Sequence, residues 1–310
     1  MAFCIAGCAW SAHEDYPTGP ITLIIPHSAG GGTDLTVRIL ATGMEKILGQ
    51  PIVIENVTGG DGVVGVTRMA NSRPDGYTLS TGAGSQLVVL PQVMEGLAYD
   101  PWTDLSWIGR VGEFAYGLFA PKSKGWETLD DLLESARADS RSLTFGGSGM
   151  INLLLVEQIP LALGEKFDWS YMPVEGAGDT VLAMVRGDID FAAVSVGNVR
   201  PFADDFVLLC TLSDERLSDY PDVPAITELG VTEVPLRNFM GIIGPAGLPE
   251  EIRFKVEEAM RQAMEDPELM ERMIAIFENV SFMNGQDFRD GSYAISLVIK
   301  ELLEAGVQQY

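Results

Sequence analysis

Strand-like and helix-like runs alternate along almost the whole of this 310-residue chain. Short apolar or β-branched stretches predict strands at 21–25, 52–56, 77–81, 114–120, 143–146, 168–172, 189–194, 206–212, 239–244 and 279–283. Between them, apolar residues recur at helical spacing over 34–48, 63–71, 128–138, 178–186, 250–265, 267–277 and 288–304. Parallel strands need a long crossover, and an amphipathic helix supplies it while covering the sheet. The alternation therefore predicts an α/β protein with mainly parallel sheets. Thr128 followed by Asp131 reads as a helix cap, Pro249 as a first helical residue, and Gly49 as a helix stop. The chain is long enough for two domains, and it has neither a low-complexity linker nor a solenoid repeat. Two domains must then be joined by structured strands, for which 113–121 and 239–245 are the candidates. Two crossings predict a first lobe over 16–115, a second over 116–238, and a return over 239–310 that completes the first. This is the layout of a hinged clamp.

Glycine loops sit where predicted strands give way to helices. The first is Pro26-His27-Ser28-Ala29-Gly30-Gly31-Gly32-Thr33-Asp34. Its glycines allow close approach to a bound group, and the free N–H groups of the following helix, with its dipole, suit an anion. No lysine follows, so this is not a nucleotide-binding P-loop. It reads as a cradle for a small carboxylate on the N–H groups of Gly31, Gly32 and Thr33, with Ser28 and Ala29 beside them; the alternative is a strand–helix turn that needs glycine. Asp34 has two readings, a contact to a ligand amine or hydroxyl and an acid on the helix dipole. A loop at 81–86 offers Gly84, Ser85 and Gln86. Another, at 146–152, offers Ser148, Gly149 and Asn152 and repeats the first loop's logic from the other half of the chain. Ligands of open α/β sheets lie outside the carboxyl ends of the strands, so two such loops face to face would grip a small molecule. A literal GxGxxG at Gly60, Gly62 and Gly65 lacks the acid expected at the end of the next strand. It reads as a tight turn into a short helix.

The chain carries 20 basic and 44 acidic residues, a net charge of −24 that excludes nucleic acid and anionic membrane as partners. That field is screened beyond roughly 8 Å at physiological salt, so local N–H dipoles can still hold a carboxylate. Ser28, Ser85, Ser148 and Ser195 have no histidine base other than His27, which adjoins Ser28 and reads as loop wall. Acid pairs such as Asp188/Asp190 and Asp204/Asp205 read as solvated surface. No catalytic constellation, metal site or cofactor is expected, and the chain reads as a non-enzyme. Cys4, Cys8 and Cys210 form neither a CxxC pair nor a disulfide framework. Cys210 lies in the apolar run 206–212 and is expected to pack as a small hydrophobe.

Residues 1–12, MAFCIAGCAWSA, are apolar and small before the abrupt change at His13-Glu14-Asp15. Residues 1–15 read as the remnant of an export signal or as a tail, and Ile5-Ala6-Gly7-Cys8 also fits a lipoprotein cleavage box. A cytoplasmic protein with an apolar tail, or a cloning residue, are the other readings. No window reaches the roughly 20 apolar residues that span a bilayer.

Motifs in order along the chain carry a resemblance. Tyr16-Pro17 and Pro20–Pro26 lead into Gly30-Gly31-Gly32-Thr33-Asp34; Leu48–Asn56, Arg73–Leu79 and Tyr99-Asp100-Pro101 follow. Then come Gly187-Asp188-Ile189-Asp190, Asp219–Ala225 and Gly244–Pro249. From Tyr16 onward the chain resembles the solute receptors of tripartite tricarboxylate transporters, the Bug family. The resemblance implies a type II periplasmic-binding-protein fold, two α/β lobes joined by two hinge strands and closing on a small organic acid. It implies a monomeric periplasmic receptor that delivers its ligand to a permease of one large and one small membrane subunit. A receptor signalling to a membrane kinase and an enzyme on a similar two-lobed fold are the alternatives. By the same resemblance the ligand-holding positions map to Ser28–Asp34 and Ser148–Asn152, with the loop around Ser85 and the segment at Ser195 bordering the cleft. The second lobe departs from the family. Where the family has a polar run, this chain has Gly149-Met150-Ile151-Asn152-Leu153-Leu154; Val174-Glu175-Gly176 replaces a Tyr-Lys-Gly, and Val194 an acid. These departures point to one carboxylate on an apolar body. Met150, Ile151 and Leu154 are then expected to touch that body, or else to pack only into the lobe's own core.

Overall fold

The computed structural model describes residues 15–30, 32–147, 150–174, 176–275 and 279–307. The readings on the leader, Cys8, Gly31, Ser148, Gly149 and Glu175 fall outside these residues. The strands are β1 (Ile21–Ile25), β2 (Ile52–Asn56), β3 (Thr78–Ala83), β4 (Leu105–Glu113), β5 (Tyr116–Pro121), β6 (Thr144–Gly147), β7 (Ser170–Pro173), β8 (Phe191–Ser195), β9 (Phe206–Thr211), β10 (Phe239–Pro245) and β11 (Asn279–Asn284). They form two sheets, one in the order β11-β4-β10-β3-β1-β2 and the other in the order β7-β6-β8-β5-β9.

Neither sheet is mainly parallel, which corrects the expectation from the alternation. β1 runs parallel to β2 and β3, and β6 parallel to β7 and β8. β10 and β11, however, pair antiparallel in the first sheet, and β5 pairs antiparallel with both β8 and β9 in the second. The reason is that the chain leaves the first sheet through β4 and returns through β10, so the strands next to each crossing enter from the opposite direction.

The passage between sheets is short on the way out. β4 ends at Glu113 and β5 begins at Tyr116, leaving Phe114 and Ala115 as the crossing. The return differs from the expected strand at 239–245, because β10 is paired within the first sheet along its length. The chain crosses back before it, in the segment between β9 and β10. The two crossings meet where the Phe114 N–H donates to the Asn238 carbonyl at 2.8 Å, and the Leu212 N–H donates to the Tyr116 carbonyl at 2.9 Å.

Helices cover the sheets as the periodicity predicts, and Thr128 forms the full capping box with Asp131. Gly49, at φ +69°, ends the first helix, and its N–H donates to the Glu45 carbonyl at 2.9 Å. Among the longer elements, β4 and the helix Met150–Ala162 escape the periodicity. β4 holds glycine where its neighbours crowd it, a Cβ at Gly109 coming within 3.2 Å of Met260 Sδ and of the Met283 carbonyl. The helix Met150–Ala162 is buried nearly all round, so it shows no polar face. Packed against the π-helical turn Ser85–Val89 and the long helix Gly285–Glu304, it extends one apolar core across both sheets. Cys210 is fully buried in β9, and burial pushes its thiol up to about 12. Among the described residues no helix is long and apolar enough to cross a membrane.

Candidate functional site

Every candidate loop hangs from the carboxyl end of a strand: β1 and β3 in the first sheet, β6 and β8 in the second. After β1 the chain turns at Gly30, φ +83°, and starts the helix Gly32–Leu48. Ser28, Ala29 and Gly32 are exposed and Thr33 is half-buried. With its orphan first-turn N–H groups this is an open helix N-terminus. Asp34 is not part of the open surface. It is 2% exposed, and its carboxylate accepts the Gly30 N–H, Arg38 Nε and Asn56 Nδ2, each at 2.9 Å. Asn56 Nδ2 also donates to the His27 carbonyl at 3.0 Å. Burial alone would raise the Asp34 carboxyl, but these donors outweigh it and hold the group down at about 2. Asp34 is thus a clamp that shapes the loop from beneath. His27 is half-buried, and burial lowers its pKa against the pull of Asp61, so it brings no positive charge at neutral pH.

The turn before the helix Val63–Ala70 follows a segment that lies against the end of β1, where the Val57 N–H donates to the Ile25 carbonyl at 3.0 Å. Gly59, Gly60, Asp61 and Gly62 all take positive φ, and a Cβ at Gly62 would lie 2.6 Å from the Gln86 amide. The GxGxxG stretch is therefore a tight turn into a short helix, as read. Gln86, fully buried, accepts the Ala83 N–H at 2.9 Å and donates to the Asp61 carbonyl at 2.7 Å, while Tyr99 Oη donates to its carbonyl at 3.0 Å. Gln86, like Asp34, has its polar atoms committed within the protein. Ser85 stays half-exposed and donates to the Asp61 carboxylate. Asp61, Asn56 and Tyr99 are not site candidates in the sequence reading. Asp61 stands as a non-glycine residue inside a glycine run, and Asn56 and Tyr99 appear there only within motifs of the resemblance.

In the second sheet, β6 ends at Gly147 and the helix resumes at Met150. Asn152 is 3% exposed and donates to the Ala193 carbonyl at 2.8 Å, tying the helix start to β8. Tyr171 Oη donates to the Gly147 carbonyl at 2.8 Å and braces the same loop from β7. Ser195 ends β8 and is buried at 7% exposure. Met150 is half-buried, but Ile151 at 8% and Leu154 at 0% exposure lie in the core. The expected ligand contact of Ile151 and Leu154 is corrected accordingly: their side chains face the packed interior shared with the first lobe. The helix Met150–Ala162 packs on the turn Ser85–Val89 that follows β3.

The candidate surface thus offers N–H groups, hydroxyls and one thioether, and the cation named beside it, Arg38, is paired with Asp34 and Asn56. Among the described residues no cluster of three or more histidine, cysteine, aspartate or glutamate side chains could hold a metal. Open N–H groups at a helix start can accept an anion.

A family model described as tripartite tricarboxylate transporter family receptor matches residues 36–292. A Cupriavidus necator protein described as a UPF0065 protein in the gbd 5′ region is 30% identical over 290 residues, which cover 93% of this chain and 87% of that protein. The solved structure of a solute-binding protein from Polaromonas is similar at a TM-score of 0.82 and 24% identity, over 94% of this chain and 99% of that one. A protein of R. palustris solved with adipate has a TM-score of 0.77 at 22% identity, over 93% of this chain and 97% of its own. The fold is that of periplasmic binding proteins. With the family model spanning most of its length, the chain belongs to the tripartite tricarboxylate transporter receptors, a family of solute-binding proteins and not of enzymes.

Proposed function

We propose that this protein captures a small organic acid between its two lobes and delivers it to a tripartite permease from the periplasm. The observation that carries the reading is that β1 and β6 each lead at their carboxyl ends into a helix start held by side chains, Asp34 and Asn56 at the first and Asn152 and Tyr171 at the second. On this reading the ligand carboxylate is taken by the N–H groups of Gly31, Gly32 and Thr33, with Ser28, Ser85, Ser148, Gly149 and Ser195 as further contacts. The adipate bound by the R. palustris protein supports an organic acid as the ligand class. Half-buried Met150 and the lack of a cation in the named positions favour one carboxylate on an apolar body over citrate. A methylene buried there is worth about 0.8 kcal/mol, whereas a second carboxylate without partners costs several kcal/mol.

A thermal-shift screen over mono-, di- and tricarboxylates tests this. A ligand at a hundredfold excess over Kd adds roughly 2.7 kcal/mol to stability. The largest shift is expected from a monocarboxylate with a hydrophobic tail or ring, and it should shrink in Met150→Ser. No shift with any organic acid would overturn the reading; an unchanged shift in a folded Met150→Ser would overturn its selectivity part.

A further inference from the structure

The helix Met150–Ala162 carries a single charged residue, Glu157, among apolar and amide side chains. Glu157 lies seven residues beyond Met150, roughly 10 Å along the helix and away from the cleft loop. It opens on a cavity of about 410 Å³ beside β6 and β7, lined by Phe145, Phe167, Trp169, Tyr171 and Val307. The rings form a continuous wall, with centroids 4.9 Å apart for Phe167 and Trp169, 5.7 Å for Phe145 and Trp169, and 5.2 Å for Phe145 and Tyr171. One Glu157 oxygen accepts the Trp169 indole N–H at 2.7 Å.

The carboxylate is only half-buried, and no ion pair reaches it among the described residues. Burial raises its pKa, and the indole hydrogen bond opposes that rise. The other acids at the mouth are neutralised, Glu165 by Arg137 at 2.7 Å and Asp168 by Arg141 at 3.5 Å. Lys166, also at the mouth, is exposed. Among the described residues no lysine or arginine sits over the rings of Phe145, Phe167 or Trp169. A carboxylate without a counter-cation, bonded to the edge of one indole and sharing its cavity with the rings of Phe167 and Tyr171, attracts a positive charge through its own charge and through ring quadrupoles. One carboxylate among aromatic walls does not supply the oxygen shell that calcium or magnesium requires. The net charge of −24 adds a field of the same sign.

We propose that this cavity binds an organic ammonium ion, its charged head on Glu157 and its alkyl groups against the aromatic wall. The site is separate from the anion cradle and opposite to it in charge preference.

Calorimetric titration of the full chain with choline, and with its uncharged isostere 3,3-dimethyl-1-butanol, provides the test. Choline should bind saturably with one site, and the neutral alcohol at least about tenfold more weakly. Glu157→Gln keeps an oxygen for the Trp169 N–H and should also bind choline at least about tenfold more weakly, with its melting temperature unchanged in the absence of choline. If the variant melts lower, the comparison of choline with the alcohol on the wild-type chain decides. No saturable heat with choline, equal affinity for the alcohol, or undiminished choline binding by a folded Glu157→Gln would each overturn the proposal.

Discussion

Asp34 belongs to the first turn of its helix, yet its carboxylate faces back under the glycine loop, where Gly30, Arg38 and Asn56 converge on it. This makes the loop's shape dependent on an ionised acid. The folded carboxyl is held at about 2, below its ordinary value of 3.8. Its stabilisation is therefore complete above the ordinary value and is lost as pH falls from there toward 2. Because the Arg38 side chain is 44% exposed and screened, the contribution is on the order of 1 kcal/mol. Urea midpoints should place Asp34→Asn below wild type at pH 6, with the gap narrowing as pH drops toward 3. A gap of constant size across that range would mean that packing, not charge, is what Asp34 supplies.

At the scale of elements, the join of β6 to the next helix is the tightest part of the candidate site. A Cβ at Gly147 would come within 2.3 Å of the Asn152 Cβ, and the Asn152 amide is already fixed on Ala193. Gly147→Ala should force that helix start outward, lowering stability by about 1–3 kcal/mol and weakening the best acid found in the screen. An alanine variant with wild-type melting and wild-type affinity would show that the loop yields freely. The sequence makes the strand–glycine–helix joins readable because glycine at a turn and periodic apolar residues are local signals. It does not reveal β4, whose Gly109 answers to Met260 and Met283, nor the helix Met150–Ala162, whose burial on nearly all sides erases any period. The same limit separates the site residues. Asp34 and Gln86 look like ligand contacts in a linear reading, and only the fold shows that Asn56, Asp61 and Tyr99 occupy their polar atoms.

For the molecule as a whole, the two crossings at Phe114–Ala115 and before Phe239 lie side by side, joined by the hydrogen bond from Phe114 to Asn238. Closure of the lobes would turn about this pair. The apolar core that runs from Ile24 and Phe288 on one side to Leu154 and Phe191 on the other limits how far they can part. Solution scattering should show a small fall in radius of gyration on saturation with the best acid, and superimposable profiles would count against a hinge. The cradle of neutral donors has a kinetic consequence as well. A carboxylate approaching a body of charge −24 is repelled at a distance and held only on contact. Its capture rate should rise with added salt as the screening length shrinks from about 30 Å at 0.01 M to about 10 Å at 0.1 M, the reverse of an electrostatically guided encounter. Stopped-flow traces across that range will show it, and a falling rate would place a cation near the entrance. A receptor built this way would load its ligand more slowly in dilute than in salty surroundings.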